Sequence, residues 1–225
     1  IYDISMIQVL LPIHILWINL VTDTFPALEL AFDPANKDIM YRKPIKKDEG
    51  IFTKGRTIRI IYQGAMIGLL TLAAFIIGLA TPNDKLPAMI EYQNEVMSAE
   101  EVEDINAVLA DGGRYLSSEE IKVEIGQTMA FIVLALSELV HIFNIRDNKN
   151  SIFKTGILGN PILIWAVLAS VFLMVVILAV PALRHVFSIP VLPTNNIVEI
   201  IALVLAPIVI VEIAKLFKLN TVKGE

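Results

Sequence analysis

Apolar residues along this chain come in blocks of about twenty, the length an α-helix needs to cross the hydrocarbon core of a bilayer. Five blocks predict spans at residues 10–31, 57–80, 125–145, 161–180 and 197–217, and hence an all-α, polytopic transmembrane helical bundle. The first block breaks the pattern. Between Leu11 and Leu30 it carries Asn19, Thr22 and Asp23 in its middle, with Pro26 one turn later. It has neither a basic leader nor a small-residue cleavage pattern, so it reads as a span and not as a signal peptide.

A carboxylate at mid-membrane costs about 2.5–3.5 kcal/mol on insertion scales, so it faces a protein interior, a water-filled path or a bound cation. In an α-helix, positions 19, 22 and 23 are related by i+3 and i+4 and share one face, where their oxygens converge. Pro26 has no N–H and its ring collides with the carbonyl four residues back. The carbonyl of Thr22 is therefore expected to be freed, leaving the first helix kinked and unwound. Irregular backbone at that depth is tolerated where it lines a cavity, and broken helices are how transporters present carbonyls to cations. The stretch I-N-L-V-T-D-T-F-P-A reads as an ion site. The alternative is a kinked helix whose Asp pairs with a neighbouring Lys or Arg.

Composition agrees with a membrane protein: 56% of the chain is hydrophobic, and its mean hydropathy is +0.68, well above that of soluble domains. Charge then sets orientation. The loop 32–56 holds Lys37, Arg42, Lys43, Lys46, Lys47, Lys54 and Arg56, whereas the loop 81–124 holds Lys85, Arg114 and Lys122 among many Asp and Glu. By the positive-inside bias the first loop is cytoplasmic and the second extracytoplasmic. Alternation places Arg146, Lys149 and Lys154 inside, Arg184 outside, and Lys215, Lys218 and Lys223 inside. The N-terminus is then extracytoplasmic and the C-terminus cytoplasmic. The acidic outer loop is read as a solvated run in preference to a cation buffer.

The chain has no phosphate-binding G-x-x-x-x-G-K-[ST] loop, no metal-ligand Cys/His spacing and no hydrolase triad, so by itself it should not hydrolyse ATP. It has no cysteine, which excludes disulfides and thiolate metal sites. No nucleic-acid partner is expected. An odd number of spans opening at Ile1 leads to the expectation that the chain is part of a longer one.

Two motifs together resemble a known family. N-L-V-T-D followed by P-A, and D-I-M-x-R-x-P at Asp38 to Pro44, are similar to the sixth transmembrane helix and following loop of P-type cation-transporting ATPases of the Ca²⁺-pump branch. The segment T-M-A-F-I-V-L-A-L-S-E-L, Thr128 to Leu139, resembles that family's eighth helix. The chain would then be the C-terminal membrane domain, helices six to ten, integral to a plasma membrane if prokaryotic. Its partners would be the fourth and fifth helices and the phosphorylation domain of the same pump, together with the lipid bilayer. Mg²⁺ and ATP would belong to the missing cytoplasmic domains.

Carried over position by position, the resemblance makes Asn19, Thr22, Asp23 and Glu138 the ligands of the transported cation. All are hard oxygen donors, as Ca²⁺ requires. Asp23 would bridge two sites, Asn19 would serve the one shared with the fourth helix, and Thr22 with Glu138 the one shared with the fifth. Asn19 stands where Na⁺ and K⁺ pumps would carry an acid, which favours Ca²⁺; a pump for another cation, Na⁺/K⁺ or Mn²⁺, is the alternative. Asp23 and Glu138 are expected to exchange protons for the cation. A channel subunit or scaffold with one polar helix is the competing class.

Smaller features read structurally. His141, one turn after Glu138, is taken as a hydrogen-bonded interior histidine rather than a ligand. Gly64 and Gly68 form a G-x-x-x-G face, which the resemblance directs at the missing fifth helix. Pro207 should bend the last span, and Glu212 with Lys215 should pair or snorkel at its end. The basic loop 32–56 would dock on the phosphorylation domain, although its charge fits anionic lipid equally.

The loop charges make a direct prediction. Cysteines introduced singly at Lys46 and Glu101 should react with impermeant thiol reagents from opposite sides of the membrane, Glu101 from outside. Labelling of both from one side contradicts the five-span topology.

Overall fold

In the computed structural model, the described residues are 8–24, 27, 40, 52–82, 118–145 and 160–216, and they are helical with no strand among them. The elements are α1 (Pro12–Trp17), a π-helical segment (Ile18–Asp23), α2 (Lys54–Leu79), α3 (Ser118–Ile145), α4 (Pro161–Ala179), α5 (Pro181–Val186) and α6 (Thr194–Leu216). Four helices are long and apolar enough to cross a membrane, within Gly55–Leu79, Glu119–Ile145, Pro161–Ala179 and Thr194–Lys215. The basic loop, apart from Met40 and the residues from Phe52 onward, and most of the acidic loop lie outside the described residues, as does Pro26.

Helix ends follow local chemistry. Thr53 caps α2, its Oγ1 accepting from the Arg56 N–H at 3.4 Å, and Asn160 caps α4, its Oδ1 accepting from Leu163 N–H at 3.1 Å ahead of Pro161 at the first helical position. Val180 precedes Pro181 and is extended, at φ −88° and ψ 115°, because the proline ring disfavours a helical residue before it. That break ends α4 and starts the short α5, which the hydrophobic pattern did not foretell. Ser188 then takes a left-handed φ of 52° and the chain turns back, with Ile189 N–H donating to the Arg184 carbonyl at 2.9 Å. The third helix begins at Ser118, earlier than the predicted 125, so the end of the expected outer loop is helical. Glu119 and Glu120 occupy its first turn, where the helix dipole favours negative charge.

The bundle is organised around α3. Of its apolar stretch 67% is buried inside the protein, against 22% for α2 and α4 and 28% for α6. The outer helices instead expose Leu69, Ile76, Trp165, Phe172, Ile201 and Val209, as lipid-facing surfaces do. Polar residues gather on the central helix. Gln127, Thr128, Ser137, His141 and Asn144 are all buried there, and Gln127 Nε2 donates to the Gln8 carbonyl at 2.8 Å, tying α3 to the segment before α1. Near the start of α6, Asn196 Nδ2 donates to Thr81 Oγ1 at 3.1 Å, which joins that helix to the end of α2.

The closest helix crossing is between α2 and α3. A Cβ on Gly78 would lie 2.6 Å from the Gly126 nitrogen, and a Cβ on Gly126 would lie 2.8 Å from the Phe75 carbonyl oxygen, so neither position admits a side chain. The G-x-x-x-G pair, expected to face a helix outside this chain, has nothing within 4 Å of a Cβ on Gly64 or Gly68. Backbone approach inside this chain is thus set by two glycines from different helices. The ion pair foreseen at the end of α6 is present: Lys215 Nζ lies 3.1 Å from Glu212 Oε1, with only 5% of the lysine side chain exposed.

The crossing predicts a stability effect. Gly78→Val or Gly126→Val should each cost about 1–3 kcal/mol, as overpacking does, read as a lower melting temperature in detergent for the full-length gene product. An unchanged transition in both variants contradicts the backbone contact.

Candidate functional site

The first helix does not simply kink. α1 passes into a π-helix over Ile18–Asp23, the stretch that carries the predicted ligands. The wider i→i+5 winding alters which residues share a face, and such segments recur at functional sites. Side-chain hydroxyls serve its carbonyls. Thr22 Oγ1 donates to the Ile18 carbonyl at 2.9 Å, Thr24 Oγ1 to the Asn19 carbonyl at 2.7 Å, and Ser170 Oγ of α4 to the Val21 carbonyl at 3.2 Å. These three bonds give partners to carbonyls that lipid cannot satisfy.

Upstream, His14 anchors the segment. Its ring is fully buried and stacks on Phe131 of α3 with centroids 4.4 Å apart and planes at 14°. Nδ1 accepts from the Leu11 N–H at 3.4 Å, and Nε2 lies 2.9 Å from the Phe187 carbonyl in the turn after α5. With Nδ1 accepting, Nε2 carries the proton and donates. Trp17 meets Phe187 edge-on at 5.6 Å. The polar helix is therefore clamped between the central helix and the α5–α6 turn, a role for His14 that sequence reasoning missed. A histidine inside an apolar block was the available signal.

Below the clamp, the π segment, α2 and α3 line an open cleft of about 310 Å³. Its polar lining is Thr22, Asp23, Glu138 and His141, closed by Ala27, Ile67, Ile142 and Ile145. Asp23 and Glu138 both line it. Glu138 Oε2 and His141 Nε2 are buried and have no hydrogen-bond partner among the described residues. At about 30 Å³ per water, the space exceeds that of one bare ion and admits a partly hydrated one.

The structure brings together three of the four predicted ligands and separates the fourth. Thr22 is buried at 2% exposure, whereas Asn19 and Asp23 are exposed in this chain, and Asn19 is not on the cavity wall. The shared face for 19, 22 and 23 was expected from α-helical spacing, whereas the segment is wound as a π-helix, with the Thr24 hydroxyl bonded to the Asn19 carbonyl. Among the described residues, no three His, Cys, Asp or Glu side chains form a metal-holding group. The site as it stands offers two carboxylates and a hydroxyl, which suits a hard cation needing further oxygens.

His141 is partnered on its inner side, where Asn144 Nδ2 donates to Nδ1 over a long 3.5 Å. The same amide nitrogen lies 3.4 Å from the Pro207 carbonyl of α6. Pro207 lies inside α6, which continues through it as one helix.

Comparison with known proteins gives a consistent outcome. Residues 7–217 match the family described as cation transporting ATPase, C-terminus. The chain is 37% identical over 209 residues, 93% of its length, to calcium-transporting ATPase 1 of Bacillus cereus, of which it spans 21%. It is 33% identical over 178 residues, 79% of its length, to a calcium-transporting ATPase of Bacillus subtilis, spanning 16% of it. An endoplasmic reticulum calcium ATPase of Aspergillus fumigatus is 28% identical over 192 residues, 85% of this chain and 19% of the relative. The chain thus spans about a fifth of the length of these relatives.

Proposed function

Since the chain belongs to the C-terminal family of cation-transporting ATPases, we propose that it is the membrane portion of a Ca²⁺ pump that supplies half of the cation-binding sites. The observation that carries this reading is the convergence of Asp23, Glu138 and Thr22 on one cavity at the π segment. Hard oxygens of this kind suit Ca²⁺, which takes six to eight of them. The calcium-transporting names of the relatives support the same ion.

In this reading Asp23 bridges two sites, Thr22 and Glu138 serve the one completed by the fifth helix of the pump, and Asn19 serves the one completed by the fourth. The exposure of Asn19 and Asp23 is compatible with surfaces that other helices of the pump cover. Ca²⁺ leaves the cytoplasm and protons return: each carboxyl that gives up a proton to take the dication takes one back when it departs. ATP and Mg²⁺ act in cytoplasmic domains beyond this chain, and loop 32–56 docks on the phosphorylation domain. The chain is multi-pass, with an extracytoplasmic N-terminus, a cytoplasmic C-terminus and a plasma-membrane location if prokaryotic.

Two variants of the full-length gene product test the site. Asp23→Asn should abolish Ca²⁺-activated phosphorylation from ATP while the protein stays monodisperse, because it removes the charge both sites share. Glu138→Ala should reduce equilibrium Ca²⁺ binding from two ions to one, weakening the affected site at least tenfold, or about 1.4 kcal/mol. Unchanged stoichiometry and affinity in both variants contradict the assignment.

A further inference from the structure

Ser170 is a buried polar group that the proposed function leaves unused. α4 is the most apolar of the four long helices, and Ser170 is the single hydroxyl in its sequence. The residue is fully buried, and its Oγ donates to the Val21 carbonyl of the π segment at 3.2 Å. A serine inside a helix has an acceptor closer to hand, the carbonyl four residues back on its own helix. Here the proton goes to another element instead.

Pro26 decides which carbonyl needs that proton. α winding pairs a carbonyl with the N–H four residues on, and π winding with the one five residues on. Proline has no N–H, so α winding leaves the Thr22 carbonyl without a partner in its own helix, whereas π winding leaves that of Val21. Ser170 serves Val21. The segment Ile18–Asp23 is wound as a π-helix, so the hydroxyl meets the carbonyl that this winding, and not the α alternative, deprives. An unpartnered carbonyl is costly where no water reaches it, and the bond from α4 therefore favours the π form.

We propose that Ser170 is a positioning residue for the cation site: it supplies the proton that Pro26 withholds from the Val21 carbonyl, and so holds the segment in the winding that places Thr22 and Asp23 on the cleft Glu138 also lines. Ser170 itself touches no cation. Without its hydroxyl, a larger share of the ion-free protein has the segment wound otherwise, and the apparent affinity falls with the fraction that is still competent to bind. This rests on the reading of Asp23 and Glu138 as cation ligands.

Equilibrium Ca²⁺ binding to the full-length gene product tests it in Ser170→Ala, Ser170→Thr, Pro26→Ala, the double variant of Pro26→Ala with Ser170→Ala, and Asp23→Asn. Ser170→Ala removes the hydroxyl without adding bulk and should weaken Ca²⁺ about fivefold, the equivalent of one net hydrogen bond. Ser170→Thr keeps the hydroxyl and should stay within about twofold of wild type. Pro26→Ala returns an N–H at position 26, and in that background Ser170→Ala should change the affinity by less than about twofold, because the Val21 carbonyl no longer depends on α4. A packing role for Ser170 predicts the same loss in both backgrounds. Wild-type affinity in Ser170→Ala, a Thr variant as weak as the Ala one, or an undiminished loss with Ala at position 26 overturns the proposal. Asp23→Asn separates the two readings: wild-type binding there removes the cation site itself, whereas lost binding there with an unaffected Ser170→Ala removes only the role of Ser170.

Discussion

A polar side chain at the depth of the hydrocarbon core has no water to turn to, so it must find its partner inside the protein or around a bound ion. In this bundle that constraint falls on α3, which buries Gln127, Thr128, Ser137, His141 and Asn144 and half-buries Glu138. The outer helices give it an apolar coat, and the glycine crossing at Gly78 and Gly126 brings α2 onto its backbone. Glu138 stands on the helix that the rest of the bundle packs around.

The opposite wall is built differently. The π segment supplies Thr22 and Asp23 from backbone that is not α-helical, and it persists because its carbonyls at Ile18, Asn19 and Val21 each receive a hydroxyl. His14 fixes its upstream end against Phe131 and the Phe187 carbonyl. A carboxylate on the packed α3 thus shares a cavity with one on the irregular π segment. In the proposed reading, that asymmetry lets one wall move and change the ion's shell without unpacking the core.

Four long apolar helices were legible because the lipid imposes one pattern, runs of apolar residues of membrane length. Asp23 stood out for the same reason, as a carboxylate where hydrocarbon is the rule, whereas Glu138 was reached only through the family resemblance of the stretch Thr128 to Leu139. What the sequence withheld depends on backbone winding and on contacts between distant residues. Asn19 was grouped with Thr22 and Asp23 by a spacing rule that holds for α-helices, and the π segment does not obey it. The close crossing inside this chain uses Gly78 and Gly126, whose pairing no local pattern encodes. Likewise the bonds from Ser170 to Val21 and from Asn144 to Pro207 join residues far apart in the chain.

The central claim is that a cation sits between the π segment and α3. Diffraction from crystals of the full-length gene product grown in Ca²⁺, recorded where calcium scatters anomalously, locates the ion directly. The account predicts an anomalous peak with carboxylate oxygens of Asp23 and Glu138 at about 2.3–2.6 Å. A well-ordered calcium whose shell contains neither carboxylate would contradict it.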